Sequence, residues 1–160
     1  MPTYDDIAPS YNELHGTEQS DKAYIIANHL QTKETDKVLD VGCGTGLGSQ
    51  YIKGRKTGVE PSQGLAKQCP FKVVIGKAEK LPFKDKSFDV TVCVSAVHNF
   101  DNPKKGLEEI NRVTKRAVAI TVLKKSRKFK DIVKLIKNIF DIKQIIDQTN
   151  DKIYIADIRQ

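Results

Sequence analysis

The residues with the most chemical content stand near the end of the first third of the chain. Val38 to Gly46 reads VLDVGCGTG, with Asp40, Gly42, Gly44 and Gly46 at alternate positions directly after a short apolar run. A glycine-rich turn there lets a ligand lie against the backbone with no Cβ in the way, at the carboxyl edge of a parallel strand. The dinucleotide fingerprint G-x-G-x-x-G would need glycine at position 47 or 49, where Leu47 and Ser49 stand, so pyrophosphate binding has little support. Glu60 follows twenty positions after Asp40 and ends another strand-like segment. A carboxylate there can accept hydrogen bonds from both hydroxyls of a ribose, each charge-assisted bond contributing roughly 1.5 to 3 kcal/mol when shielded. Cys43, Cys69 and Cys93 form no C-x-x-C and no Cys/His pairing, so neither a metal centre nor a disulfide framework is expected. Cys43 and Cys93 read as small packed side chains rather than reactive thiols.

The elements that must hold these residues alternate along the chain. Lys37–Val41, Lys56–Glu60, Phe71–Ile75, Phe88–Val94 and Ala117–Leu123 read as strands, the last two richest in β-branched residues. Ala23, Ile26, Ala27 and Leu30 recur at helical spacing, as do Leu107, Ile110 and Val113 behind Pro103. Phe129, Ile132, Val133, Ile136 and Phe140 form a third stripe, and Ile142–Ile146 and Lys152–Ile158 read as two strands joined by the polar turn Gln148–Asp151. Strands alternating with helices predict an α/β three-layer sandwich. Its sheet is Rossmann-like, seven-stranded and mostly parallel, closed by an antiparallel hairpin.

At 160 residues one domain is the expectation, and 39% hydrophobic residues with 16 Gly plus Pro exclude disorder and low complexity. No apolar run reaches the ~18 residues of a membrane helix, and the start lacks a signal-peptide pattern, so a soluble, cytoplasmic protein is expected. The net charge of +7 is concentrated. Lys124, Lys125, Arg127, Lys128, Lys130, Lys134 and Lys137 are opposed over that span only by Asp131. This segment, 124–137, reads either as a solvated helix or as a contact for phosphate, RNA included, or an acidic partner.

The motifs resemble those of class I S-adenosylmethionine-dependent methyltransferases, in particular the ubiquinone/menaquinone-biosynthesis branch. VLDVGCGTG is similar to the family's first motif, GVEPS (Gly58–Ser62) to its second, and Gly76–Phe100 to the third and fourth blocks. The opening YDDIAPSYNELHG also resembles that branch, except that Asn12 replaces the usual second Asp. The resemblance implies strand order 3-2-1-4-5-7-6 and a cofactor, S-adenosyl-L-methionine, leaving as S-adenosyl-L-homocysteine. Its implied contacts are Tyr11, Asp40, Gly42, Gly44, Thr45, Gly46, Glu60, Pro61, Ser62, Ala78, Glu79 and Ser95, with Glu60 on the ribose and Ala78-Glu79 beside the adenine. Residues 1–35 would be a helical arm or lid including Tyr11 and His15, residues 36–123 the cofactor-binding core, and residues 124–160 the basic helix and closing hairpin.

The sulfonium is already activated, so methyl transfer chiefly needs an aligned acceptor and excluded water. His98, just past Val94 at the carboxyl edge, is the candidate general base, with substrate positioning or loop hydrogen bonding as its other reading. An Asn/Asp-Pro-Pro-Tyr/Phe signature is missing at Ser95–His98, which disfavours amino-methylation in that style, and no Pro-Cys stands there for covalent attack on a pyrimidine. The acceptor is left as a small molecule or an RNA base, with a partner subunit completing an open site as a further expectation. The alternative is a non-catalytic S-adenosylmethionine-binding or regulatory subunit of a methyltransferase complex.

Overall fold

The computed structural model describes Asp5 and residues 11–160, with side chains at Asp5 and from residue 17 onward. Helix α1 (Tyr11–His29) precedes β1 (Lys37–Val41), β2 (Arg55–Glu60), the short α2 (Gln63–Ala66) and β3 (Lys72–Ile75). Then come β4 (Phe88–Cys93), α3 (Pro103–Val113), β5 (Thr114–Leu123), α4 (Phe129–Ile139) and the hairpin β6 (Asp141–Asp147) and β7 (Asp151–Asp157). Single 3-10 turns lie at Leu47–Ser49 and Val97–Asn99.

Among the described residues, seven strands form one sheet in the order β3-β2-β1-β4-β5-β7-β6. Strands β1 to β5 pair in parallel, and β7 runs antiparallel between β5 and β6. The central strands carry apolar side chains on both faces because helices cover both. Ile26 of α1 and Leu30 just after it pack with Val38, Val90 and Val92 on one face. On the other, Leu107, Ile110 and Val113 of α3 and Ile132 and Ile136 of α4 pack with Leu39, Val118 and Ile120. Full burial of each such side chain stabilises the fold by about 1.5 to 3 kcal/mol. The three helical stripes read from the sequence are therefore the faces that close the core.

Two differences in the extent of strands have physical causes. β5 begins at Thr114 rather than Ala117, because buried Thr114 bonds Thr91 through their hydroxyls at 2.6 Å and donates to the Ile110 carbonyl at 2.6 Å. Asp151 closes the turn, its carbonyl accepting from the Gln148 N–H at 2.9 Å, and is also the first residue of β7, paired with Leu123. Its side chain is 1% exposed.

The helix starts follow local chemistry. The Ser62 hydroxyl accepts from Leu65 N–H at 3.2 Å to open α2, and Asn102 accepts from Lys105 N–H at 3.1 Å to open α3, with Pro103 next. Arg112 on α3 ties down the 81–85 loop. Its guanidinium donates to the carbonyls of Leu81 (3.0 Å) and Phe83 (2.8 Å) and pairs with Glu109 and Asp85. That clamp fixes the segment that follows Ala78 and Glu79.

Candidate cofactor site at the carboxyl edge

The register of β1 and β2 brings the glycine loop and Glu60 together. Val41 pairs with Val59, and the N–H groups of Gly42 and Cys43 both donate to the Val59 carbonyl, at 2.7 and 3.2 Å. The chain then coils through left-handed conformations at Gly42 (φ 71°), Gly44 (φ 53°) and Gly46 (φ 89°), which only glycine adopts without strain. At Gly42 there is also no room: a Cβ would lie 2.5 Å from the Ala96 Cβ. Gly106 of α3 has the same role under the floor, since a Cβ there would meet the Phe100 ring at 2.5 Å.

Between these elements lies a cavity of about 310 Å³. It is lined by Gly42, Gly44, Glu60, Pro61, Leu65, Ala78, Glu79, Ser95, Ala96 and Phe100 among others. Glu60 is 5% exposed and held at both carboxylate oxygens: Gly44 N–H donates to Oε1 at 2.9 Å and Ser62 N–H to Oε2 at 2.8 Å. Burial raises its pKa, while those two backbone bonds pull it down. Each oxygen keeps a lone pair for a further donor, so the carboxylate can accept two more hydrogen bonds from the cavity side. Glu79 accepts from the Asn102 N–H at 2.8 Å, which joins the cavity wall to the start of α3.

Seven of the sequence-predicted contacts therefore line one cavity: Gly42, Gly44, Glu60, Pro61, Ala78, Glu79 and Ser95. Asp40 and Thr45 line a separate space of about 10 Å³, room for about one water, which adjoins the cavity through Gly42 and Val94. Asp40 is fully buried and accepts from Ser49 Oγ at 2.7 Å, and burial pushes its carboxyl up to about 7 against that bond and the charge of Lys56. Two predicted contacts line neither space. Gly46 packs against Phe71, Cys69 and Pro70, because three successive left-handed glycines coil the loop and break the alternation of faces. Ser62 caps α2 and donates to Asp5 Oδ1 at 2.5 Å. Tyr11 belongs to α1, but its side chain and that of His15 lie outside the described residues.

His98 sits in the 3-10 turn after β4, half-buried and outside the cavity lining. Its Nδ1 has no hydrogen-bond partner among the described residues. Burial lowers its pKa, opposed by Asp151 and reinforced by Lys22 and Lys128. These charges belong to a polar cluster that motif reading missed. Lys22 of α1 forms an ion pair with Asp151, and both are almost fully buried. Lys22 Nζ also donates to Ser95 Oγ at 2.8 Å, as does Gln19 Nε2 at 3.1 Å. Ser95 itself has a left-handed φ of 54°, and its N–H donates to Thr121 Oγ1 at 2.7 Å. A signal was present, since Gln19 and Lys22 lie in phase with Ala23, Ile26 and Leu30, where a solvated polar residue has no place. Asp151 carried none.

Of the basic segment, Lys128 donates to the Phe100 carbonyl at 3.0 Å, which brings it to the cavity wall. Lys124 pairs with Asp147 at 2.7 Å. Lys125, Arg127 and Lys130 are exposed.

A glycine loop after β1, a buried carboxylate at the end of β2 and a closing antiparallel β7 in the order 3-2-1-4-5-7-6 define a class I methyltransferase fold. Residues 39–122 match the family described as a methyltransferase domain, just over half of the chain. The chain belongs to this family of S-adenosylmethionine-dependent methyltransferases. It is 36% identical over 116 residues to the uncharacterized protein MJ1252 of Methanocaldococcus jannaschii, covering 70% of this chain and 46% of that protein. It is 32% identical over 124 residues to a demethylmenaquinone methyltransferase of Paenarthrobacter aurescens, covering 70% and 49%. The chain thus spans about half the length of the curated relatives it matches. Among solved structures, a chain of the complex between the Haloferax volcanii Trm112 methyltransferase activator and its methyltransferase superposes with a TM-score of 0.83 at 15% identity, covering 100% of this chain and 99% of that one. A methyltransferase from Aquifex aeolicus does so with 0.77 at 17% identity, covering 99% and 100%. These two likenesses are of fold. No described helix is long and apolar enough to cross a membrane.

Proposed function

We propose that this protein binds S-adenosylmethionine in the cavity between the glycine loop, Glu60 and Ala78-Glu79, and transfers its methyl group to an acceptor entering from the side of His98 and Lys128. The observation that carries this reading is Glu60, a buried carboxylate aimed by two backbone N–H groups at the edge of a 310 Å³ cavity. The residues present fit that cofactor. The cavity is of ligand size, its walls at Leu65, Ala78, Ala96 and Phe100 are apolar, and Gly44 puts no side chain into it, where a Cβ would reach Leu65 Cδ1 at 3.8 Å. Glu60 would take the ribose hydroxyls and the Ala78-Glu79 region the adenine, with Asp40 and Thr45 toward the amino-acid end. When bound, the cofactor supplies an activated methyl group; the chain's own residues orient the acceptor and exclude water. His98, poised neutral by burial, is able to accept a proton there.

The acceptor is a small molecule or an RNA base, and the exposed cations Lys125, Arg127 and Lys130 beside Lys128 support an anionic one. A partner subunit is a further part of this reading, supported by the solved neighbour's assembly with the Trm112 activator. The test offers labelled methyl donor and the protein to cell extract split into RNA, protein and lipid fractions. Transfer into one fraction supports an enzyme. No transfer into any, with cofactor binding intact, supports the non-catalytic subunit instead. If label enters RNA, charge reversal at Lys125, Arg127 and Lys130 should reduce it steeply at low salt.

A further inference from the structure

Two of the three thiols meet beneath the glycine loop. Cys43, inside the loop, is buried, its Sγ donating to the Gly44 carbonyl at 3.7 Å; Cys69, between α2 and β3, is half-buried; and the two thiols lie close enough to shift each other's ionisation. Glycines make the space for both sulfurs. A Cβ on Gly58 would lie 2.5 Å from Cys43 Sγ, one on Gly46 would lie 3.1 Å from Cys69 Sγ, and both would touch the same Phe71 ring, at 3.1 and 3.0 Å. The thiols are therefore packed into one site whose walls are Gly46, Gly58 and Phe71.

We propose that Cys43 and Cys69 form an oxidation site, which hydrogen peroxide converts to a disulfide that ties the cofactor loop to the α2–β3 connection and weakens cofactor binding. This rests on the reading of the cavity as the S-adenosylmethionine site. Cys69 is the attacking group: it is the less buried of the two, and the neighbouring Cys43 holds its thiol below the ordinary range, while that same contact and burial push Cys43 well above. Cys69 thiolate attacks one peroxide oxygen, the O–O bond breaks and hydroxide leaves, giving a sulfenic acid at Cys69. The Cys43 sulfur then attacks Cys69 Sγ, the S–O bond breaks, and the departing hydroxide takes the Cys43 proton as water. Overall two thiols are oxidised, one peroxide is reduced and two waters form.

The consequence follows from which partner can move. A disulfide brings the sulfurs to about 2.05 Å, closer than any hydrogen bond between them. Cys43 is pinned, since its N–H and that of Gly42 donate to Val59 and its carbonyl accepts from Gly46 N–H at 2.8 Å. Cys69 is held by one turn, its N–H donating to the Ala66 carbonyl at 3.1 Å. Closure therefore draws the end of α2 inward, and α2 carries Leu65, whose side chain forms the cavity wall.

The experiment treats the reduced protein with one equivalent of hydrogen peroxide. Peptide mapping by mass spectrometry and calorimetric titration with S-adenosylhomocysteine follow, on wild type and Cys69→Ser. The expected result is a Cys43–Cys69 crosslinked peptide 2 Da lighter than its parts, affinity at least tenfold weaker, full recovery with dithiothreitol, and an affinity of Cys69→Ser that peroxide does not change. Absence of the crosslink, or oxidation of Cys69 to sulfinic acid alone, overturns the site. A crosslink with unchanged affinity overturns its effect on binding. Failure of the reduced wild type to bind S-adenosylhomocysteine refutes the cofactor reading instead, because the crosslink is read independently by mass.

Discussion

Asp40 gives a prediction whose sign and size both come from burial. Its carboxyl is fully enclosed beside the glycine loop and pushed up to about 7, with Ser49, Lys56 and Glu60 as the groups that face it. In the unfolded chain the same group titrates near ~3.9. The folded protein thus holds a proton that the unfolded chain releases, so the stabilising contribution is complete below ~3.9 and is lost as pH rises through about 7. Between pH 6 and 8 the loss is about 1.4 kcal/mol, and across the full window it is bounded by about 4 kcal/mol. Cofactor binding should run the other way. A cationic amino-acid end lodged near ionised Asp40 should bind about tenfold more tightly at pH 8 than at pH 6. His98, held below its ordinary range by burial, contributes stability that is lost as pH falls, so the comparison must be made against Asp40→Asn. The assays are urea denaturation and S-adenosylmethionine titration at pH 6, 7 and 8 on both proteins. Asp40→Asn should flatten the Asp40 part of both slopes. Parallel pH profiles for the wild type and the variant would refute the reasoning.

Two further predictions concern packing. Gly42→Ala meets both a left-handed φ and the Ala96 Cβ, whereas Gly44→Ala meets the φ alone. The first should cost about 2 to 5 kcal/mol and the second about 1 to 2, and the reverse order in denaturation would contradict the geometry. Lys22→Met should cost about 3 to 5 kcal/mol by leaving Asp151 buried and unpaired, and the double variant with Asp151→Leu should recover much of it. A single-variant loss under about 1 kcal/mol would show that the pair does not hold α1 to the sheet.

The strand order, a long-range property, came only with the family resemblance. The loop and Glu60 were legible in the sequence because each is written locally, as a run of apolar residues followed by glycines or by one carboxylate. The face of each glycine was not. Alternation holds in a strand, but residues 42 to 46 leave the strand and coil, so Gly46 turns away from the cavity. The Lys22–Asp151 pair was illegible for a different reason. Its partners meet only after the hairpin folds β7 beside β5, which places the start of β7 next to α1. His98 was correctly located at the carboxyl edge, yet its surroundings depend on that same long-range contact.

The most direct test of the account is calorimetric titration of S-adenosylmethionine into the reduced wild type and Glu60→Gln. Removing the Glu60 charge takes away roughly 1.5 to 3 kcal/mol of charge-assisted hydrogen bonding. The account predicts one site per chain in the wild type and affinity about 10- to 100-fold weaker in the variant, with cooperative unfolding retained. No binding by the wild type, or equal binding by the two proteins, would contradict it.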